Sequence, residues 1–588
     1  MKQRSFLVLS VVVLLFASCS NKGGKSGLLV PKDAAFVLHI NTESLTSKLS
    51  WNEIQQTSWF NAIQKDAESN DSLAKRLLAD PASSGVDTKK DFVLFSKKHA
   101  GGSYMVFEGF LNSQATYEQT LAEMTKKKPK EIKKAGDFSY MVPNEKTVVV
   151  WNKSRFALVS NSKTGGLASR MSGGMRPNLN LSFDDVEFKS DSLLVFGQQA
   201  LILEGDNLEN DSRFADLVND GRDVHIWFNT GLFYSGMNML KEKFPMANFD
   251  TLLKGNVSAM SLSFENGKIT AKTKQYFNEG MSKVLAANRP KNISADMINR
   301  LPSSDVVAVF ASNFAPENII GMLKLLGVDV MANAFLVSKF NLSIDEIVGA
   351  SNGGILLAVS DPQLKTDTMN YKGTMRVVPS MPSANILFAT SVKNRASFEK
   401  MVGLLGQVRK QMMGGADVEG GKTGMPGKIP GMPFLSGINY KLENDWFIVT
   451  NNQGYTDKFV AGGKSNLPFA SKIIGHPMGV YVDLQRIIGF FGTMSMAKDS
   501  SSAEMTQLAL NTWENITATG GDFNGKYSES EFEVNLVDKN TNSLKQLSQF
   551  IDKASAYNKK KKEEQMRWHN SMNQAMPDSV AMAPGYGK

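Results

Sequence analysis

Phe107-Glu108-Gly109-Phe110-Leu111-Asn112-Ser113-Gln114-Ala115-Thr116-Tyr117-Glu118 reads as a short apolar strand, a polar cap and the first turns of an amphipathic helix. The plan returns without a gap at Phe388-Ala389-Thr390-Ser391-Val392-Lys393-Asn394-Arg395-Ala396-Ser397-Phe398-Glu399, 388 − 107 = 281 positions later. Ser113 and Asn394 stand where a helix needs a side-chain oxygen for its first free N–H groups. Tyr117, Leu121 and Met124 recur at i, i+4, i+7 and share one helix face, and Phe398, Val402 and Leu405 repeat the pattern. A strand-and-helix unit that occurs twice raises the question of whether the whole chain is doubled.

Other landmarks recur in the same order. Leu29-Val30-Pro31-Lys32-Asp33 is echoed by Leu301-Pro302-Ser303-Ser304-Asp305, and Ala157 to Asn161 by Phe447 to Asn451. Val224 to Phe228 is echoed by Val480 to Leu484. Phe264-Glu265-Asn266-Gly267-Lys268 and Phe523-Asn524-Gly525-Lys526 both read as hairpin turns. The strands are joined by short turns, not by regular helical crossovers. The expectation is therefore α+β: two tandem homologous modules, about 28–285 and 296–540, with mainly antiparallel sheets flanked by helices. A Gly-, Met- and Pro-rich insertion occupies 411–436. Residues 541–588 read as a C-terminal helix through Leu544, Leu547 and Ile551 that frays at the lysine run, then a disordered tail from Met576.

Cys19 is the single cysteine of 588 residues. Lys2 and Arg4 precede an apolar run from Phe6 to Phe16, then Ala17 and Ser18 lead into it. The run is too short to span a bilayer and ends at a processing site. Residues 1–18 are read as a lipoprotein signal peptide, Cys19 as the lipidated first residue and 19–27 as a tether. An incidental Cys19 would leave an unpaired thiol in an oxidising compartment. Several acyl chains anchor stably where one is marginal. The segment resembles the lipobox of secreted bacterial lipoproteins, with Phe16 where Leu is usual, and with Ser20 next and no acidic cluster after it that resemblance implies the outer membrane, facing the periplasm.

Composition is that of a folded protein, 42% hydrophobic and 21% charged. Loss of Lys2 and Arg4 lowers the formal charge from +9 to 9 − 2 = +7, a mild excess for this length. Lys126-Lys127-Lys128-Pro129-Lys130 and Lys559 to Lys562 read as solvated helix ends, the latter followed by Glu563 and Glu564. Neither has stacking aromatics beside it, so nucleic-acid binding is not expected.

Three motifs bear on chemistry. Ala416-Asp417-Val418-Glu419-Gly420-Gly421-Lys422-Thr423 matches a permissive phosphate loop, but a helix precedes it and the glycines and prolines from Gly424 to Pro433 follow. Gly349-Ala350-Ser351-Asn352-Gly353 matches a nucleophile elbow with the order reversed, helix before and strand after. A serine hydrolase using Ser351, with Asp361 and His476 cast as partners, is the enzymatic alternative. Met412, Met413, Met425 and Met432 flank the insertion, and soft thioethers suit Cu(I), so a periplasmic copper or ligand carrier is the other. His39, His99, His225, His476 and His569 are scattered without metal-ligand spacing, with His39 and His225 inside expected strands. No catalytic residue, cofactor site or metal site is assigned.

The lipobox-like segment, the opening Leu29 to Leu38 and the doubled plan together resemble an uncharacterised lipoprotein family of Bacteroides-type bacteria. That resemblance implies a location and an architecture without an activity. The resulting expectation is a lipid-anchored, non-catalytic binding or scaffold protein of the envelope, with an envelope protein as a partner and the membrane reached through Cys19.

Overall fold

The computed structural model describes residues 27, 29–68, 72–99, 102–125, 131–162, 186–203, 207–234, 244–363, 366–371, 374–379, 383–412, 439–463, 466–496 and 500–575. The N-terminal half of the chain supplies β1 (Phe36–Ile40), β2 (Phe92–His99), β3 (Gly102–Phe110), β4 (Lys133–Ala135) and β5 (Phe138–Asn144). It continues with β6 (Thr147–Trp151), β7 (Arg155–Asn161), β8 (Val224–Asn229), β9 (Val257–Glu265) and β10 (Lys268–Tyr276). The C-terminal half supplies β11 (Val306–Asn313), β12 (Ser351–Gln363), β13 (Thr366–Tyr371), β14 (Thr374–Pro379) and β15 (Ser383–Val392). It ends with β16 (Asn439–Glu443), β17 (Trp446–Thr450), β18 (Met478–Asp483), β19 (Trp513–Phe523) and β20 (Tyr527–Leu536).

Apart from the β13–β14 hairpin, these strands form one 18-stranded sheet. Every pairing is antiparallel, in the order β4-β5-β6-β7-β3-β2-β1-β8-β9-β10-β20-β19-β18-β11-β12-β15-β17-β16. The fold is α+β, as the short turns between strands require. Outward from the β10–β20 junction, β10-β9-β8-β1-β2-β3-β7 and β20-β19-β18-β11-β12-β15-β17 follow the same succession. The junction is antiparallel, with Lys272 opposite Glu531 at its centre.

The repeated strand-and-helix unit is built alike in both places. The Asn112 and Ser113 N–H groups donate to the Gly85 carbonyl, and those of Lys393 and Asn394 donate to Ala350. Ser113 Oγ then accepts from the Thr116 N–H at 3.3 Å, and Asn394 Oδ1 from that of Ser397 at 3.0 Å. On the neighbouring strand, Val106 pairs Val159 while Leu387 pairs Thr450. The matching letters there are thus one residue out of physical register, and one residue exchanges the faces of a strand.

The two faces differ. On one, a core around Val37, Phe95, Val150, Leu193 and Trp227 lies in the first half and one around Val309, Leu356, Ile448 and Phe459 in the second. Helix Ser190–Ile202 closes on the first of these through Leu193, Phe196 and Leu201. Gly197 makes that approach possible, since a Cβ there would meet Val150 Cγ2 at 2.6 Å. Between the two cores this face turns polar, with His39, His225, Ser261, Lys272 and Glu531 side by side on adjacent strands.

The opposite face stays apolar across thirteen consecutive strands. One row of cross-strand partners runs Phe92, Ile40, Val224, Leu262, Ala271 and Phe532. It continues through Ala518, Val480, Phe310, Leu357, Phe388, Val449 and Tyr440. Helices Thr42–Lys48, Trp51–Gln55, Ser58–Glu68 and Gln114–Thr125 cover its first part with Leu45, Trp51, Ile54, Phe60, Tyr117 and Leu121. The C-terminal helix Ser543–Ala575 joins them through Leu544. It does not fray at Lys559 to Lys562 but runs unbroken to Ala575, 33 residues in all, and Lys560 reaches Glu504 at 3.3 Å.

Candidate functional site

Two features depart from a sealed core, one apolar and one polar. The apolar one lies in the C-terminal half. Among the described residues, the buried cluster on the row's far end consists of Ala350, Val392, Phe398 and Phe447. Leu357 and Phe532 keep 41% and 42% of their surface exposed. Two helices stand after β11, as Thr42–Lys48 and its successors stand after β1. Glu317–Leu326 buries Asn318 alone, and Asp329–Phe340 buries nothing. The second helix exposes Val330 at 78%, Met331 at 49%, Phe335 at 54% and Val337 at 44%. Phe314 and Ile319 are exposed just before it. No single helix among the described residues is long and apolar enough to cross a membrane, and this helix pair is bent by 117°.

The polar feature lies in the N-terminal half, on the other face. His39 and His225 are cross-strand partners on β1 and β8, each 1% exposed. Their rings stack at 5.0 Å with Nδ1 to Nδ1 at 2.8 Å. His39 Nε2 faces Asp91 Oδ2 at 3.1 Å, and His225 Nε2 faces Asp220 Oδ1 at 2.8 Å. Burial pushes the Asp220 carboxyl up, but hydrogen bonds from His225, Ser261 and the Arg222 N–H outweigh it and hold the group below the usual carboxylate range. Asp220 also lines a cavity of about 270 Å³ with Arg213, Arg222, Lys272, Lys274 and Tyr276. Nearby, fully buried Asp223 takes Lys48 Nζ at 2.6 Å, Ser44 Oγ at 2.6 Å and the Phe264 N–H at 2.6 Å. Two strands from His39, complete burial holds Glu108 well above the carboxylate range, with Arg155 offsetting only part of the effect.

The residues singled out in the sequence fare differently. Ser351 opens β12, where its hydroxyl donates to the Ser391 carbonyl at 2.8 Å and accepts the Gly353 N–H at 2.9 Å. Gly353 is required by φ +87° and by the Phe314 carbonyl packed where a Cβ would sit. Asp361 lies ten residues along the same strand, roughly 33 Å away, held by Ser303, Asn385 and Tyr455. His476, two residues before β18, bonds Asp522 at 2.8 Å, and β11 separates β18 from β12. The three do not meet as a triad. Cys19, the loop 416–423, Met413, Met425 and Met432 lie outside the described residues, and Met412 ends helix Arg395–Met412. Among the described residues no group of three or more His, Cys, Asp or Glu is placed to hold a metal.

Residues 28–169 match the model of a family described as a domain of unknown function, DUF4836. No curated protein matches the chain. Among solved structures, crystal form III of TP0453 is similar at 10% identity and a TM-score of 0.21, covering 46% of this chain and 90% of that one. Crystal form I of TP0453 gives 10% identity and a TM-score of 0.20, covering 44% of this chain and 81% of that one.

Proposed function

We propose that the chain is a lipid-anchored, non-catalytic binding or scaffold protein of the bacterial envelope. It is tethered through Cys19 to the outer membrane and faces the periplasm. The observation that carries this reading is the helix Asp329–Phe340, which exposes Val330, Met331, Phe335 and Val337 while giving nothing to the core. A helix that contributes so little to its own fold and shows so much apolar surface serves a partner. The partner class that fits is an envelope protein with an apolar docking face. The matching strand successions on either side of β10–β20 support two homologous modules within 28–285 and 296–540. The enzymatic alternative has the weaker support, because the Ser351 hydroxyl is spent on the Ser391 carbonyl.

The test is crosslinking in cells followed by capture of the tagged full chain from native membranes, wild type beside Val330→Asp/Phe335→Asp. A stoichiometric envelope protein captured by the wild type and lost from the double variant supports the reading. Equal capture by both assigns binding to another surface and overturns the role of the helix. The anchor is tested separately: Cys19→Ala is expected to leave the membrane fraction in a high-salt wash.

A further inference from the structure

We infer that His39 and His225 together form a binding site for a single proton, held as one positive charge shared between two buried imidazoles. A contact of 2.8 Å between the two Nδ1 atoms works only with one N–H and one lone pair, since two N–H groups would collide and two lone pairs would repel. The outer nitrogens face carboxylates, which as anions only accept, so both outer positions carry N–H. Three protons therefore occupy four nitrogens, where two neutral rings would hold two. Removing the third leaves a ring lone pair against a carboxylate, or the two Nδ1 atoms without a proton. Adding a fourth sets two N–H groups face to face. Either change is made on buried rings, where an unmatched polar contact is costly.

The surrounding charges fit this count. Asp91 and Asp220 face the pair from the segments before β2 and β8, and Arg222 stands 3.9 Å from Asp220. Asp223, next to β8, is matched by Lys48. The strands flanking the pair place uncharged Val93 and Ser261 beside it, and the next strands place Glu108 and Lys272. Asp91 also accepts the Thr42 N–H at 3.1 Å through its second oxygen. The proton thus ties the β1–β8 pairing to the start of helix Thr42–Lys48.

A fixed count of three has a signature that an ordinary histidine lacks. Two unfolded imidazoles hold four ring protons well below pH ~6.5 and two well above it. Below that point the unfolded pair binds one proton more than the folded pair, so stability rises with pH. Above it the unfolded pair binds one fewer, so stability falls as pH rises. Each limb is tenfold in the unfolding constant per pH unit. Between pH 7.5 and 9, carboxylates and lysines are nearly silent, which makes this the limb to read.

The experiment uses the full chain with ¹⁵N-labelled histidine, following ring nitrogens by NMR from pH 6 to 9, beside equilibrium unfolding over pH 7.5–9. The expected spectrum keeps three protonated nitrogens and one bare one for His39 and His225 throughout that range. The expected unfolding constant rises about tenfold per pH unit, and His225→Gln flattens that slope. Two bare nitrogens, or none, overturns the site, as does a flat slope in the wild type. If His225→Gln fails to fold, the wild-type spectrum and slope still decide.

Discussion

Single side chains carry the sharpest expectations. Ser113 and Asn394 cap equivalent helices through one hydrogen bond each, so Ser113→Ala and Asn394→Ala should each cost about 1 kcal/mol in urea unfolding. Exchanging the two residue types, as in Ser113→Asn, should cost only a few tenths of that. Glu533 is a different case. Burial works against its ionisation, yet hydrogen bonds from Lys472, Asn535 and Lys268 hold it down at about 2. A carboxyl depressed in the folded state stabilises above its unfolded range, near 4.5, and that contribution is lost as pH falls toward 2. Glu533→Gln should therefore cost on the order of 2 kcal/mol at pH 7 and progressively less in acid, measured as the difference between the two unfolding curves at each pH.

At the scale of elements, helix Asp329–Phe340 and the row on the apolar face make opposite predictions. Val330→Asp/Phe335→Asp removes surface that touches water already, so thermal stability should hardly move while partner capture is lost. Phe92→Ala, in the closed part of the row where Phe92 is 1% exposed, should cost about 3–5 kcal/mol. The same contrast explains what was legible in the sequence. Local chemistry could be read: the cap at Ser113, the face of Tyr117 and Leu121, and the turn at Gly267 are set by neighbours in the chain. Alternation identified His39 and His225 as strand residues, but their meeting depends on β1 pairing β8 across 186 positions, which no local pattern encodes. The elbow-like pattern around Ser351 has a related explanation. Gly353 answers to the Phe314 carbonyl and to a positive φ, needs that imitate a catalytic turn. The lysine run failed to end the last helix because lysine is a good helix former and Lys560 finds Glu504.

Taken whole, the molecule is a sheet without a gap, and its unfolding should follow. The nine residue pairs from Lys268–Asn535 to Tyr276–Tyr527 make β10 and β20 interior strands. Calorimetry should show the two halves melting together. Ala271→Pro, which removes an N–H from an interior strand, should lower that shared transition; a variant in which only one half melts early would show that the halves are independent.

The same junction bears on how the chain is assembled. Lys272 lies 531 − 272 = 259 positions ahead of its partner Glu531. Whatever delivers the chain N-terminus first leaves β10 as a bare sheet edge until the remainder arrives, and bare edges recruit other copies. β10 carries Lys268, Lys272 and Lys274, whereas β20 carries Glu529, Glu531 and Glu533. Two early-emerging edges therefore repel each other, and each waits for the acidic strand of its own chain. Reversing the three lysines to glutamate should turn an orderly wait into a contest: the waiting edge would be repelled by its own β20 and drawn to the unaltered β10 of a neighbour, a misassembly visible as mixed oligomers when both forms are made in one cell.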